Sequence, residues 1–223
     1  MKKFISYSKW MQVVGWLISI KLASFFKVSF IVGSQVAHFS AISIATPLVG
    51  LISGLSGCGI FFMLKAMLSF LFNPVSSLHL LAYCIPGFCA SLYLASSHIT
   101  IRFILPIICM ILFIVHPVGF GAFTYALYWL IPIILYFVKR KSLFLQALGS
   151  TFVAHAVGSV IWLYTVPMSS VLWLGLIPVV IVERLFFASS IALTYSILSS
   201  LKNRIKMIKR ISTREATPIF TFQ

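Results

Sequence analysis

From residue 28 to residue 199 the chain is a near-continuous succession of apolar runs, each close to the twenty residues a helix needs to cross a bilayer. Almost no charge interrupts them. Apolar residues make up 61% of the 223 positions and charged residues 9%, and no soluble domain of this size has enough interior to hide that much apolar surface. Lipid must then act as solvent. Inside lipid every backbone N–H and C=O has to be satisfied within the protein, which leaves helices or a closed barrel. A barrel would read as ten-residue stretches of alternating polarity, and the sequence has none. The expected fold class is all-α, a polytopic integral membrane helical bundle.

Charge sets the expected topology. Seventeen Lys and Arg stand against two acids, a net charge of +15. The basic residues gather at Lys2, Lys3 and Lys9, at Lys139-Arg140-Lys141, and from Lys202 to Arg214. They form no groove-sized patch interleaved with aromatics, so nucleic acid is not an expected partner. They match loops that face anionic headgroups on the cytoplasmic side, which predicts cytoplasmic N- and C-termini in a bacterial inner membrane. The Met-Lys-Lys start is expected to be retained, because Lys9 and Lys21 interrupt the apolar region behind it.

Strong span candidates are 28–46, 48–72, 78–97, 101–116, 118–138, 143–166 and 171–199. Residues 1–27 form a basic N-terminal segment, an interfacial helix or weak span, ahead of a transmembrane bundle at 28–199 and a basic cytoplasmic tail at 200–223. Five candidates before Lys139 is the wrong parity. Six spans are favoured, with one piece re-entrant, and eight follow if the N-terminal segment crosses. The re-entrant candidate is His116-Pro117-Val118-Gly119-Phe120-Gly121, since broken helices at membrane depth commonly line a cavity. An ordinary tight turn is the plainer alternative.

Glu183 is the one acid inside an apolar run, and an ionised group there costs several kcal/mol, roughly 2.5–3.5 on insertion scales. The expected counter-ion is Lys65, within the run from Pro47 to Phe72, giving a buried Glu183–Lys65 ion pair. Arg184 is adjacent on the helix and points about 100° away.

Two stripes stand out. Gly33, Ala37, Ala41 and Ala45 recur every four residues, small side chains on one helix face that suit close packing or docking of a membrane partner. Gly50 and Gly54 repeat the pattern. In 143–166, Thr151, His155, Ser159 and Trp162 fall at i, i+4, i+8 and i+11, a polar ridge ending in an aromatic. Such a ridge suits binding of a small polar molecule with a flat ring, or hydrogen bonds between helices. His116 and Tyr128 are further candidates for the same binding site. Aromatics and prolines gather at Tyr125, Tyr128, Trp129 and Pro132, which share one face at i, i+3, i+4 and i+7, and again at Trp162, Tyr164, Trp173 and Pro178. Those near span ends, such as Trp173, read as interface belts.

Other chemistries are poorly provided for. The four cysteines lie in apolar segments without ligand spacing, five histidines lack i, i+4 pairing, and carboxylates are nearly absent, so neither a metal nor another cofactor is expected. No phosphate loop is present, and the chain is not expected to be an enzyme. Gly54-Leu55-Ser56-Gly57 matches the GxSG of rhomboid intramembrane proteases, and His155-Ala156-Val157-Gly158 the start of their HxxGxxxG. The second glycine of that motif is Trp162 here, which makes an intramembrane serine protease the least supported reading.

With the small-residue stripe followed by Pro47-Leu48-Val49-Gly50-Leu51-Ile52-Ser53-Gly54, and with the later stretch Ala147 to Ser159, the layout resembles the substrate-binding S components of energy-coupling factor (ECF) vitamin transporters. That resemblance implies six helices and capture of a small-molecule substrate from the outer face. It also implies a separate membrane scaffold subunit, docked on the stripe, and ATPase subunits to drive import. The alternatives are a stand-alone proton-coupled carrier, with Glu183 coupling protons to substrate, and a non-catalytic membrane assembly protein in which the polar residues serve helix contacts.

Overall fold

The computed structural model describes residues 2–23, 25–30, 38–72, 77–139 and 142–215. The fold is a helical bundle. Its longest elements are α1 (Lys2–Ala23), α2 (Ile42–Phe72), α3 (Ser77–Ala95), α4 (Leu105–Val115), α7 (Leu130–Phe137), α8 (Leu143–Thr165) and α10 (Ile177–Glu215). Single turns α5 (Pro117–Phe120), α6 (Phe123–Ala126) and α9 (Ser170–Gly175) link them. By length and composition alone, three helical stretches are apolar enough to cross a membrane: Leu143–Thr165, Ile177–Ile205 and Ile42–Leu68, the last of which is divided at Gly54. Large apolar side chains cover the outside, for example Met11, Val14, Ile18 and Leu22 along one side of α1. In water that surface would be a liability, and against lipid it is solvated.

The expected helix at 28–46 does not form as such. Lys27–Phe30 (β1) pairs antiparallel with His38–Ser40 (β2), and α2 starts only at Ile42. The β-branched Val28 and aromatic Phe30 favour a pleated ribbon, a preference that an apolarity count does not register. Gly33 and Ala37 of the small-residue stripe lie outside the described residues. Ala41 sits in the turn before α2, and Ala45 packs inward beside Phe61 and Phe62. Between Ala37 and Ala41 the described chain is strand at His38–Ser40, so Ala41 and Ala45 do not continue one helix from that side.

α2 is a hairpin of two arms. Gly54 adopts φ 67°, ψ −170°, a region essentially reserved for glycine. On the first arm Thr46 lies against Gly87 and Gly50 against Ser91, so that arm runs parallel to α3. On the second, Cys58 meets Ser91 and Phe62 stacks on Phe88 with ring centroids 4.8 Å apart, so this arm runs antiparallel to α3. Only a chain reversal at Gly54 brings Gly50 and Cys58 to the same residue. Gly50 is needed at the crossing, since any Cβ there would run into the Ser91 backbone. The Ser91 hydroxyl donates to the Thr46 carbonyl at 2.6 Å. Trp16 of α1 ties the turn down, its indole N–H donating to Ser53 Oγ at 2.9 Å.

From the second arm onward the helices alternate in direction. Gly149 packs on Tyr93, Ser150 donates to the Ala90 carbonyl at 2.8 Å, and Gly158 neighbours Pro86, so α8 runs antiparallel to α3. Phe103, in the turn of π-helix that leads into α4, stacks on Tyr136 and Phe137 at the end of α7. At the same end of the bundle Arg102 is buried. Its guanidinium donates to the carbonyls of Ser96 and Tyr93 at 2.9 Å each and sits 4.5 Å over the Tyr93 ring. It thereby satisfies carbonyls that the end of α3 leaves open.

The proposed break at His116–Gly121 is a tight junction. His116 Nδ1 accepts from the Val118 N–H at 3.3 Å and caps α5. The four cysteines are free, with Cys58 and Cys109 buried as packing residues.

Candidate functional site

One cavity of about 370 Å³ lies where both arms of α2 meet α3, α8 and α10. That volume is in the range of small-molecule sites. Thr46 and Pro47 of the first arm, Lys65 of the second, and Pro86 and Gly87 of α3 form one side. Thr151, His155, Ser159 and Trp162 of α8 form the opposite wall. Their spacing explains this: steps of four, four and three residues keep all four on one helical face. Tyr125, Met168 and Trp173 close one end, and Val180, Glu183, Arg184 and Phe187 of α10 supply the rest.

Aromatic rings give the cavity its shape. Tyr125 lies 5.3 Å from the His155 ring and 5.0 Å from Trp173. The Tyr125 and Ser159 hydroxyls are 3.3 Å apart and share a hydrogen bond. The Trp162 indole N–H donates to Met168 Sδ at 3.0 Å, which fixes the ring at the cavity edge. Thr151 spends its hydroxyl on the Leu148 carbonyl of its own helix.

Several polar atoms are left over. Among the described residues, Thr46 Oγ1, His155 Nε2 and Trp173 Nε1 are buried without a hydrogen-bond partner. Each costs roughly 1–3 kcal/mol while unmet. Buried polar groups with no protein partner, converging on one void, are what a site for a polar ligand or ordered water looks like.

The charge arrangement differs from the expected one. Glu183 pairs with its neighbour Arg184, Oε2 to Nη2 at 3.2 Å, both side chains nearly buried. The 100° between the two side-chain roots is bridged by the length of the arginine, which swings back over the Phe187 ring at 5.0 Å. Lys65 is not the partner. It lines the same cavity, with its ammonium 5.9 Å over Phe62.

Of the sequence candidates, Thr151, His155, Ser159 and Trp162 share the cavity wall and Glu183 and Lys65 join them. His116 and Tyr128 do not line it. The His116 ring packs edge-on against Tyr164, and Tyr128 donates to the Ile177 carbonyl at 3.3 Å while packing on Phe152. Trp173, expected in an interface belt, is 2% exposed and part of the cavity wall. Thr46, Tyr125 and Arg184 also belong to the site. Only Tyr125 carried a signal, as part of an aromatic face with Trp129. Ser56 of the GxSG sequence is exposed beside the Gly54 turn and lies outside the cavity wall that holds His155. No family model matches this chain, and neither does any curated protein or solved structure.

Proposed function

We propose that this chain is an integral membrane protein that binds a small molecule in the cavity between α2, α3, α8 and α10 and helps import it. On this reading it works as the substrate-binding component of an ECF-type transporter does, with a scaffold subunit and ATPase subunits supplying the energy. The observation that carries the proposal is that buried, unmet polar atoms of Thr46, His155 and Trp173 belong to residues lining one cavity with aromatic side chains in its wall.

The bundle supports a specific topology. We read the second arm of α2, α3, the segment Thr100–Val115, the segment Phe123–Phe137, α8 and α10 as six alternating passes, of which α8 and α10 are by themselves long enough to cross a bilayer. The first arm of α2, residues 42–53, is about 18 Å long at 1.5 Å per residue, too short for a bilayer core of about 30 Å. With α1 it forms the re-entrant piece, dipping in from one side and returning. Lys139 and the basic end of α10 fall at the same end of the bundle as the Gly54 turn, so that end is cytoplasmic and both termini face the cytoplasm. The cavity, built near the start of α10 and the end of α8, then lies toward the outer face, where a substrate would be captured.

Native mass spectrometry of the gently purified protein tests the reading. A bound small molecule, lost in Gly158→Trp because the indole fills the cavity, is the expected result. Wild-type protein free of any small molecule, and purifying without partner chains from its own host, would refute it.

A further inference from the structure

We infer that the cavity takes a flat, ring-bearing organic monoanion, a small aromatic carboxylate, with Lys65 as its counter-ion. The inference rests on the cavity being a binding site and names the chemistry of what it binds.

The argument begins with charge. Two cations, Lys65 and Arg184, and one carboxylate, Glu183, line the cavity. The carboxylate is spent on Arg184 at 3.2 Å, which is the one ion pair among the described residues. The sequence holds only one other acid, Glu215, in the basic tail. Among the described lining residues the wall is therefore one positive charge in excess. Lys65 is half-buried at the cavity wall, and one negative charge on the occupant would balance it, whereas a second would reverse the imbalance.

Hydrogen-bonding capacity points the same way. The Trp173 indole can only donate, and so can the Lys65 ammonium. The Thr46 hydroxyl, 2% exposed, is free to donate as well. A donor-rich wall wants an acceptor, and a carboxylate offers two oxygens with about four lone-pair positions. Ring faces and edges of Tyr125, His155, Trp162 and Phe187 also line the cavity, among aliphatic and small side chains. Aromatic side chains pack best on a flat partner. About 370 Å³ leaves room for one or two fused rings carrying the carboxylate.

Three isosteric probes differing in charge test this: 1-naphthoate, 1-naphthamide and 1-naphthylmethylamine. Binding is measured by calorimetry on the full chain in phosphatidylcholine nanodiscs, with empty nanodiscs subtracted. Wild-type protein should prefer the acid over the amide by tenfold or more and exclude the amine. Lys65→Met should abolish the preference, and Lys65→Arg, which keeps the charge, should retain it. Equal affinity for acid and amide, or an acid preference that survives in Lys65→Met, overturns the inference while leaving the cavity a binding site. If no probe binds yet mass spectrometry finds a neutral or cationic molecule in the cavity, the inference fails alone. If no probe binds and no molecule co-purifies, both readings fail together.

Discussion

The reversal at Gly54 makes a quantitative prediction because its neighbour Gly59 supplies an internal control. A Cβ added at either glycine meets nothing within 4 Å, so neither substitution by alanine is decided by crowding. They differ in backbone alone. Gly54 has φ 67° and ψ −170°, where an L-residue costs about 1–3 kcal/mol. Gly59 lies in regular helix, where alanine gains roughly 0.5–1 kcal/mol over glycine. Gly54→Ala should lower stability by about 2 kcal/mol and Gly59→Ala raise it slightly, a gap of about two orders of magnitude in the folding equilibrium constant. Unfolding by sodium dodecyl sulfate in mixed micelles, followed by tryptophan fluorescence, would measure both. If the two variants shift in the same direction by the same amount, the chain does not reverse at Gly54, and the two-armed α2 and the cavity wall built from it fall with that result.

Other substitutions probe the packing by the same titration. Gly50→Ala puts a methyl into the Ser91 backbone and should destabilise by about 1–3 kcal/mol, although Ala is the better helix former. Arg102→Leu removes donors to the Ser96 and Tyr93 carbonyls and should cost on the order of 3 kcal/mol. Arg102→Lys should recover only part of it, since an ammonium cannot reach both carbonyls in one plane. Trp16→Phe and Ser53→Ala should each cost about 1 kcal/mol, and the double variant little more than either alone, because they break the same hydrogen bond.

Much of this arrangement could be read from the chain, and the misreadings share a physical origin. Helices beyond residue 77 follow from apolar runs of bilayer length, and the Thr151–Trp162 ridge follows from a 3.6-residue period, so both were visible in one dimension. Apolarity alone cannot separate helix from ribbon, so 28–46 read as a span although Lys27–Phe30 pairs with His38–Ser40. Gly54 belongs both to a small-residue pattern and to a GxSG sequence. Its role depends on a backbone angle that neither pattern encodes. Trp173 near a span end suggested a belt, and what buries it, Tyr125 and Phe113, comes from elsewhere in the chain.

The three cations inside the bundle show why Lys65 differs from the others. Arg102 has no carboxylate, yet its flat guanidinium meets two backbone carbonyls and a ring face, all supplied by the end of α3 and the loop after it. Arg184 is held by Glu183. These are two ways to keep a buried arginine charged without leaving the protein, and both depend on the fork of donors that arginine carries. Lys65 is a compact ammonium on the middle of a helical arm, where main-chain carbonyls are already committed to i→i−4 bonds. A ring 5.9 Å away is a weak partner. Among the described residues the cavity wall holds one acid, and that acid pairs with Arg184, so no described carboxylate completes the Lys65 environment. An anionic occupant would supply that partner, which favours an anion over a neutral analogue of the same shape.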